Sequence, residues 1–265
     1  MLGAIIGDIV GSRFEWNNYK GKDFNFFDPD CSFTDDTVMS LAVCDAYLKG
    51  FQYEYRGDKI LIDCMQDLGR RYPDRGYGAH FKQWLEDEKP KPYGSYGNGA
   101  AMRISACGFA SKTIEEVKHM SMIITEVSHN HPESYKGAEA TAVAIYLART
   151  GNAKEDIEKF IVDNYYPLNF NLDEIRTDYE FDVSCQGSVP QALEAFFESS
   201  SFEDAIRNAI SIGGDSDTVA AITGGIAEAF YGISQELRDN AKKYLDKHLL
   251  NILNKFETRY GAKLL

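Results

Sequence analysis

The chain has 265 residues, 44% of them hydrophobic and 13% aromatic, so it is long enough to bury a substantial core. Its formal net charge of −13 argues against broad electrostatic binding to nucleic acid or to an anionic membrane surface. The charge does not exclude a small anionic ligand, because backbone N–H groups can bind phosphate without basic side chains.

The cysteines and the N-terminus indicate where the protein resides. The five cysteines are odd in number and contain no CxxC pair, which disfavours a disulfide framework or a zinc knuckle and favours a reducing compartment. The N-terminal MLGAIIGDIVG lacks a basic segment and is interrupted by Asp8, unlike a signal peptide. No apolar run approaches the ~20 residues of a membrane span. We therefore expect a cytoplasmic protein without a membrane segment.

Hydrophobic residues recur at helical spacing along most of the chain. The segment 113–128 begins with a threonine and has Glu116 three residues on, which is the pattern of a capping box. Residues 137–148 are rich in small side chains and predict a tightly packed internal helix. Residues 201–212 predict an amphipathic helix with Ser201 as its N-cap.

The C-terminal part of the chain continues this helical pattern. Residues 218–233 predict another helix of small side chains, in which Gly224 and Gly225 let a second backbone approach closely. Residues 234–260 predict one long amphipathic helix or two.

Strand-like patterns are scarce. The segment that comes closest to the apolar–polar alternation of a β-strand is DFNFFDP, residues 23–29. A polar and aromatic stretch, residues 164–188, predicts a long surface excursion. The sequence therefore predicts a single compact all-α domain over residues 1–265, with functional loops that build a cleft.

Two clusters combine carboxylates with threonine hydroxyls at predicted helix starts: Thr34, Asp35 and Asp36, and then Asp215, Asp217 and Thr218. These oxygens are hard ligands that suit Mg²⁺, Mn²⁺ or Ca²⁺ better than zinc. Four carboxylates converging in a poorly solvated site would repel one another unless cations neutralised them. Each cluster alone is also an ordinary N-cap, and neither spacing matches an EF-hand loop. Together they favour a metal site.

A glycine-rich stretch, residues 94–103, precedes a predicted helix from Ala100 onward, where exposed N–H groups could hold a pyrophosphate. It is neither a Walker A loop nor a dinucleotide fingerprint, which disfavours P-loop NTPases and Rossmann enzymes. A plain turn is the alternative. The stretch SHNHP carries His129 and His131, which could bind metal, form hydrogen bonds or stack.

Two acidic residues lie near the N-terminus. Glu15 closes GDIVGSRFE and, on the residues alone, is a surface glutamate or a site residue. Asp8 lies within an apolar helical turn, and we interpret it as a buried hydrogen-bonding carboxylate rather than a catalyst.

Taken in order, five motifs resemble the ADP-ribosylglycohydrolase family, which includes dinitrogenase reductase-activating glycohydrolases and ADP-ribosyl-acceptor hydrolases. The motifs are GAIIGDIVGSRFE, FTDDTVMSLA, YGSYGNGAAMR, SHNHPESYKGAEATA and GGDSDTVAAITGGIAEAFYG, and they extend from the N-terminus to about residue 235. The resemblance implies a compact all-α fold with a binuclear Mg²⁺ or Mn²⁺ site at the mouth of a cleft.

The resemblance also implies roles for individual residues. It makes both acidic clusters the metal ligands: Thr34, Asp35, Asp36, Asp215, Asp217 and Thr218. It makes Glu15 a catalytic or ribose-gating residue, with Asp35 and Asp36 as further catalytic candidates. It places the glycine loop near a diphosphate, His129 on the adenosine side and the RGYGAHF loop in the cleft, so that the substrate-binding set is Gly76, Gly78, Ser95, Tyr96, Gly97, Asn98, Gly99 and His129.

The implied function is hydrolysis of the glycosidic bond between ADP-ribose and an acceptor, with an arginine-type or serine-type protein side chain as the expected acceptor. Free ADP-ribose is the expected product, and two divalent cations, Mg²⁺ or Mn²⁺, are the expected cofactors. A monomer is compatible with this interpretation. The alternatives are a catalytically silent ADP-ribose-binding or structural relative and a Mg²⁺-dependent pyrophosphate hydrolase.

Overall fold

The computed structural model describes residues 1–53 and 57–261. Over these ranges the regular structure is helical, without a β-strand; one isolated bridge joins Gly97 to Ser184. The α-helices, in chain order, are α1 Leu2–Gly11, α2 Asp35–Leu48, α3 Gly57–Arg71, α4 Ala79–Glu86, α5 Gly99–Met102, α6 Ser105–Ala110, α7 Ile114–Glu126, α8 Pro132–Arg149, α9 Lys154–Asn164, α10 Leu172–Ile175, α11 Cys185–Phe197, α12 Phe202–Ser211, α13 Ser216–Tyr231, α14 Gln235–Lys242 and α15 Lys247–Tyr260. Two 3₁₀ turns cover Ser12–Phe14 and Phe51–Tyr53.

These elements confirm the predicted all-α fold class. Residues 23–29 form no strand. The predicted domain limits, residues 1–265, extend past the described residues and stay a prediction. None of the described helices combines the length and apolar character needed to cross a membrane. All five cysteines are buried free thiols.

Helices α1 and α13 pack directly against each other at the centre of the fold. Every residue of α1 is buried. A Cβ atom added to Gly3 would lie 2.2 Å from the carbonyl oxygen of Gly224, and one added to Gly7 would lie 2.0 Å from that of Ala220. Glycine is therefore required for the two backbones to touch, as predicted for Gly224. The helices are antiparallel, since Gly11 at the end of α1 meets Asp217 at the start of α13.

Side-chain caps begin several of the predicted helices. Ser201 accepts from the backbone N–H of Asp204 at the start of α12, at 3.1 Å. Thr113 accepts from Glu116 at the start of α7, at 3.2 Å. The predicted capping box there is incomplete, because the Glu116 carboxylate accepts from Lys112, one residue before the N-cap. The C-terminal segment forms two helices, α14 and α15.

Residues 164–188 are only in part a surface excursion. Leu172 is buried at the start of α10, which begins with a complete capping box from Asn171. Further on, the carbonyl of Val183 accepts from the N–H of Asn98 at 2.7 Å. The N–H of Cys185 donates to the carbonyl of Tyr96 at 2.9 Å. These bonds fasten the segment to the glycine loop, so its last residues form a wall of the cleft described below.

Candidate active site

One cleft of about 420 Å³ collects most of the residues that the sequence singled out. The predicted site residues that line it are Glu15, Asp35, Asp36, Gly76, Gly78, Ser95, Gly97, Asn98, Gly99, His129, Asp215, Asp217 and Thr218. Residues that are far apart in the chain therefore meet in a space of the size that small ligands occupy.

Thr34 and Tyr96 are not among the residues that line the cleft. The Thr34 side chain is the N-cap of α2 and accepts from the N–H of Asp36 at 3.3 Å. Its hydroxyl donates to Asp8 at 2.7 Å. The Tyr96 ring is exposed and packs edge-on against His131, with centroids 5.5 Å apart. His131 is the N-cap of α8, where its Nδ1 accepts from Glu133 at 3.2 Å.

The acidic clusters meet because of how α1, α2 and α13 pack. The chain enters α13 through Gly213 and Gly214, whose φ angles of +70° and +74° favour glycine. The antiparallel packing of α1 on α13 brings Glu15, which follows α1, to this same helix start. Carboxylate oxygens of Glu15, Asp215 and Asp217 lie within 4.8 Å of one another.

Hydrogen bonds fix the geometry of these carboxylates. The Thr218 hydroxyl donates to Asp36 Oδ2 at 3.1 Å, which joins the two predicted clusters. Asn98 Nδ2 donates to Asp215 Oδ2 at 2.7 Å, so this residue of the glycine loop contacts the acidic site. Asp36 Oδ1 is buried and has no hydrogen-bond partner among the described residues.

Asp8 fixes the start of α2, the helix that carries Asp35 and Asp36. Its carboxylate is fully buried and accepts from the backbone N–H groups of Thr34 and Thr37, at 3.0 and 3.1 Å, and from both hydroxyls. This bonding holds the first turn of α2 in place, which orients Asp35 and Asp36. The interpretation of Asp8 as a buried hydrogen-bonding carboxylate is therefore consistent with its contacts.

Burial and mutual repulsion raise the pKa values of the acidic groups. Desolvation followed by the charge of Asp217 raises the pKa of Glu15 to about 7. Desolvation is also the main cause at Asp215, whose pKa is about 6. The pKa values of Asp35, Asp36 and Asp217 lie well above the ordinary range for the same reasons. Without a cation, ionisation of this cluster at neutral pH is therefore costly.

The donor set fits a hard divalent cation. Carboxylate and hydroxyl oxygens are the ligands that Mg²⁺ and Mn²⁺ prefer, and Asp36 Oδ1 is a buried acceptor to which none of the described residues donates. A bound cation would neutralise the repulsion that raises these pKa values. The residues that could hold it are Asp35, Asp36, Asp215, Asp217 and Thr218, with Glu15 adjacent.

The other end of the cleft is aromatic and rich in glycine. His129 is buried, with ring centroids 5.7 Å from Tyr93 and 6.1 Å from Phe81. A Cβ atom at Gly99 would lie 3.2 Å from His129 Nε2, and one at Gly97 would lie 3.6 Å from it. The missing side chains therefore leave space beside the histidine ring.

The RGYGAHF loop approaches the acidic end. The carbonyl of Arg75 accepts from the N–H of Asp35 at 2.7 Å. Gly76 has a φ of +97°, and a Cβ atom there would lie 3.1 Å from Asp35 Oδ1. Gly78 is the N-cap of α4.

Sequence reasoning missed several residues of the cleft, among them Trp16, Tyr93, Arg103, Phe181 and Val183. Trp16 and Phe181 stack at 5.2 Å although both are exposed, by 81% and 41%. The position of Trp16 directly after Glu15 was a usable signal, as was that of Arg103 at the end of the glycine motif. No local pattern marked Phe181.

The fold and the site together define the chain as an all-α protein with an acidic, cation-suited cleft that continues into a glycine-rich, aromatic pocket. A sequence model of the ADP-ribosylglycohydrolase family matches residues 1–262. The chain therefore belongs to the ADP-ribosylglycohydrolase family, as its motifs predicted, and the family is one of hydrolases of ADP-ribose linkages.

Individual relatives agree with this membership. The chain is 24% identical to the ADP-ribosylhydrolase ARH3 of Homo sapiens, over 89% of this chain and 85% of that protein. It is 26% identical to the ADP-ribosylarginine hydrolase Tri1 of Pseudomonas putida (strain GB-1), over 88% of this chain and 70% of that protein. A solved structure described as an ADP-ribosylglycohydrolase-related protein complex superposes with a TM-score of 0.70 at 22% identity, covering 98% of this chain and 95% of that one. The last likeness supports the fold.

Proposed function

We propose that the protein is a metal-dependent hydrolase that cleaves the glycosidic bond between ADP-ribose and an acceptor on a protein, an arginine-type or serine-type side chain. The products are free ADP-ribose and the unmodified acceptor. The observation that carries the proposal is that buried and partly buried carboxylates from three segments line one cleft together with a glycine loop beside a buried histidine.

The cofactors that we propose are two divalent cations, Mg²⁺ or Mn²⁺. Asp35, Asp36, Asp215, Asp217 and Thr218 would hold them, and Asn98 keeps Asp215 oriented through its 2.7 Å hydrogen bond. When bound, such cations supply Lewis acidity toward ribose hydroxyls and a water of lowered pKa.

Glu15 is the proton-transfer group that we assign. Burial is the first cause of its raised pKa and would persist with the cations bound, which favours the protonated form that a general acid needs. Its carboxylate lies beside those of Asp215 and Asp217, where the reacting ribose carbon would sit. Asp35 and Asp36 would hold a cation, and their first-turn positions on α2 are fixed by Asp8.

The two ends of the cleft suit different parts of the substrate. Among the described residues, the N–H groups of Gly97 and Asn98 already donate to Ser95 Oγ and to the Val183 carbonyl. We therefore assign the diphosphate to the N–H groups of Ser95, Tyr96 and Gly99, which need no basic cluster beside them. The aromatic pocket around His129, Tyr93 and Phe81 offers ring faces for adenine. Binding at this remote end positions the ribose against the carboxylates.

The acceptor would leave past the exposed pair Trp16 and Phe181. Both rings line the cleft, and Trp16 is adjacent to Glu15 in the chain. Exposed aromatic rings at the mouth of a cleft are typical of a surface that a ligand covers. We further propose a reducing, cytoplasmic location, which the five buried free thiols support.

The test is turnover of peptides ADP-ribosylated on arginine or on serine, with Mg²⁺ and after treatment with EDTA. The proposal predicts release of ADP-ribose that requires the cation and is lost in Asp36→Asn. Asp163→Asn, which changes an exposed carboxylate on α9, is the matched control and should retain full activity. Equal turnover with Mg²⁺ and EDTA contradicts metal dependence, and tight ADP-ribose binding without any turnover identifies a silent relative.

A further inference from the structure

Arg103 is an unusual wall residue of the cleft. It directly follows α5, is 0% exposed, and its Nη2 donates to the carbonyl of Ile124 at 3.1 Å and to Ser128 Oγ at 2.8 Å. Its Nε and Nη1 have no hydrogen-bond partner among the described residues. A buried guanidinium normally pairs with a carboxylate, and this one instead bonds to a carbonyl and a serine.

Ser128 links Arg103 to His129 through hydrogen bonds. Ser128 is fully buried, and its Oγ lies 2.8 Å from Arg103 Nη2 and 2.8 Å from His129 Nδ1. A guanidinium can only donate, so Ser128 Oγ accepts from Arg103 and has one proton left to donate. Among the described residues, His129 Nδ1 is the acceptor within hydrogen-bond distance that can take this proton, at 2.8 Å. The ring proton of a neutral His129 must therefore be on Nε2.

The Nε2 atom faces the glycine loop. Cβ atoms placed on Gly99 and Gly97 would lie 3.2 and 3.6 Å from it, so the Nε2–H points to the space that these glycines leave free. Burial and the nearby Arg103 charge keep the pKa of His129 well below its usual range, which keeps the ring neutral. Phe81 and Tyr93 pack around the ring and limit its rotation.

We propose that Arg103 is a positioning residue that acts through Ser128 to hold His129 as the Nε2–H tautomer, whose N–H donates to an acceptor oxygen of the ligand beside the glycine loop. The identity of that ligand, ADP-ribose, rests on the proposed function. The tautomer itself depends only on the bonds among Arg103, Ser128 and His129.

The direct test is ¹⁵N NMR of histidine-labelled protein without ligand near pH 7, with the His129 signals identified by their loss in His129→Gln. The proposal predicts the Nε2–H tautomer in the natural chain. Ser128→Ala and Arg103→Met should each produce a mixture of tautomers, whereas Ser128→Thr, which keeps the hydroxyl, should restore Nε2–H. A natural chain with the proton on Nδ1 overturns the proposal, as does an unchanged tautomer in Arg103→Met.

Calorimetry with ADP-ribose measures the consequence for binding. Ser128→Ala should weaken affinity about tenfold, as expected for one misdirected donor, and Ser128→Thr should recover most of it. Ser121→Ala, which removes another buried hydroxyl that bonds within α7, is the matched control and should leave affinity unchanged. Equal affinity in Ser128→Ala and the natural chain contradicts the role of the Nε2–H.

The two measurements separate this proposal from the proposed function. If the natural chain does not bind ADP-ribose, the proposed function fails, while the NMR experiment still decides the tautomer. If Arg103→Met does not fold, Ser128→Ala and Ser128→Thr decide it, because they leave the buried guanidinium in place.

Discussion

The acidic site should make the metal-free protein less stable at high pH, and the substitution Asp215→Asn should reduce this loss of stability. Asp215 is 6% exposed, and burial is the main reason that its pKa rises from an ordinary 3.8 to about 6. Between pH 3.8 and about pH 6, the Asp215 carboxyl group has lost its proton in the unfolded chain but keeps it in the folded chain. The free energy of unfolding therefore falls as the pH rises, and the loss is complete above the folded pKa.

The rise in pKa sets the size of the effect. At ~1.4 kcal/mol per pH unit, the rise from 3.8 to about 6 corresponds to at most about 3 kcal/mol at pH 8. Asp215→Asn removes this ionisation and keeps an acceptor for Asn98. In EDTA it should raise the Tm by up to about 10 °C near pH 8, and by less near pH 5.

Thermal unfolding with EDTA and with Mg²⁺ measures both parts of the argument. Mg²⁺ should stabilise the natural chain, because it binds the folded state, and should stabilise Asp215→Asn less. Asp163→Asn, an exposed change on α9, should behave like the natural chain in every condition. The reasoning is refuted if Asp215→Asn lowers the Tm equally at both pH values, or if Mg²⁺ stabilises it as much as the natural chain.

Three further predictions concern other parts of the fold and the site. Glu15→Gln should lower kcat at least ~100-fold while changing ADP-ribose affinity little, and should abolish the limb of the pH–rate profile that the raised pKa of Glu15 produces, measured by steady-state kinetics. Trp16→Ala should raise KM for the ADP-ribosylated peptide several-fold and leave affinity for free ADP-ribose unchanged, because the proposed acceptor path passes the ring that stacks on Phe181. Gly7→Ala should destabilise the fold by about 3 kcal/mol or more in denaturant unfolding, because its Cβ would lie 2.0 Å from a backbone oxygen of α13.

Each of these predictions has a contradicting outcome. An unchanged kcat in Glu15→Gln would show that Glu15 takes no part in proton transfer. If Trp16→Ala weakens the binding of the peptide and of free ADP-ribose equally, the ring contacts the ADP-ribose part of the substrate and not the acceptor. A Gly7→Ala variant as stable as the natural chain would show that α1 and α13 can separate without cost.

Features determined by neighbouring residues were predictable from the sequence. The N-caps at Thr113 and Ser201 form as expected, because a side chain three residues from its partner can be located without the fold. Gly224 also carried its own signal, since a glycine within an apolar helix implies close backbone packing. The pairing of the two acidic clusters was predictable from their shared chemistry, and the Asp36–Thr218 hydrogen bond joins them.

Features that depend on distant segments were not predictable in this way. The hydroxyl of Thr34 donates to Asp8, 26 residues earlier in the chain, and no local pattern shows that its proton is committed there. The stacking of Trp16 on Phe181 requires the 164–188 segment to fold back onto the glycine loop. Such contacts are set by helix packing and loop closure, whose geometry a linear pattern does not contain.

The central claim is that the glycosidic bond of an ADP-ribosylated acceptor is the bond that breaks. Mass spectrometry of an ADP-ribosylated peptide after incubation with the protein and Mg²⁺ tests this most directly. The account predicts that the peptide loses the whole ADP-ribose group and that intact ADP-ribose appears in solution, both only with the cation. A peptide that keeps a phosphoribosyl group while AMP is released would show cleavage at the pyrophosphate and would contradict the account.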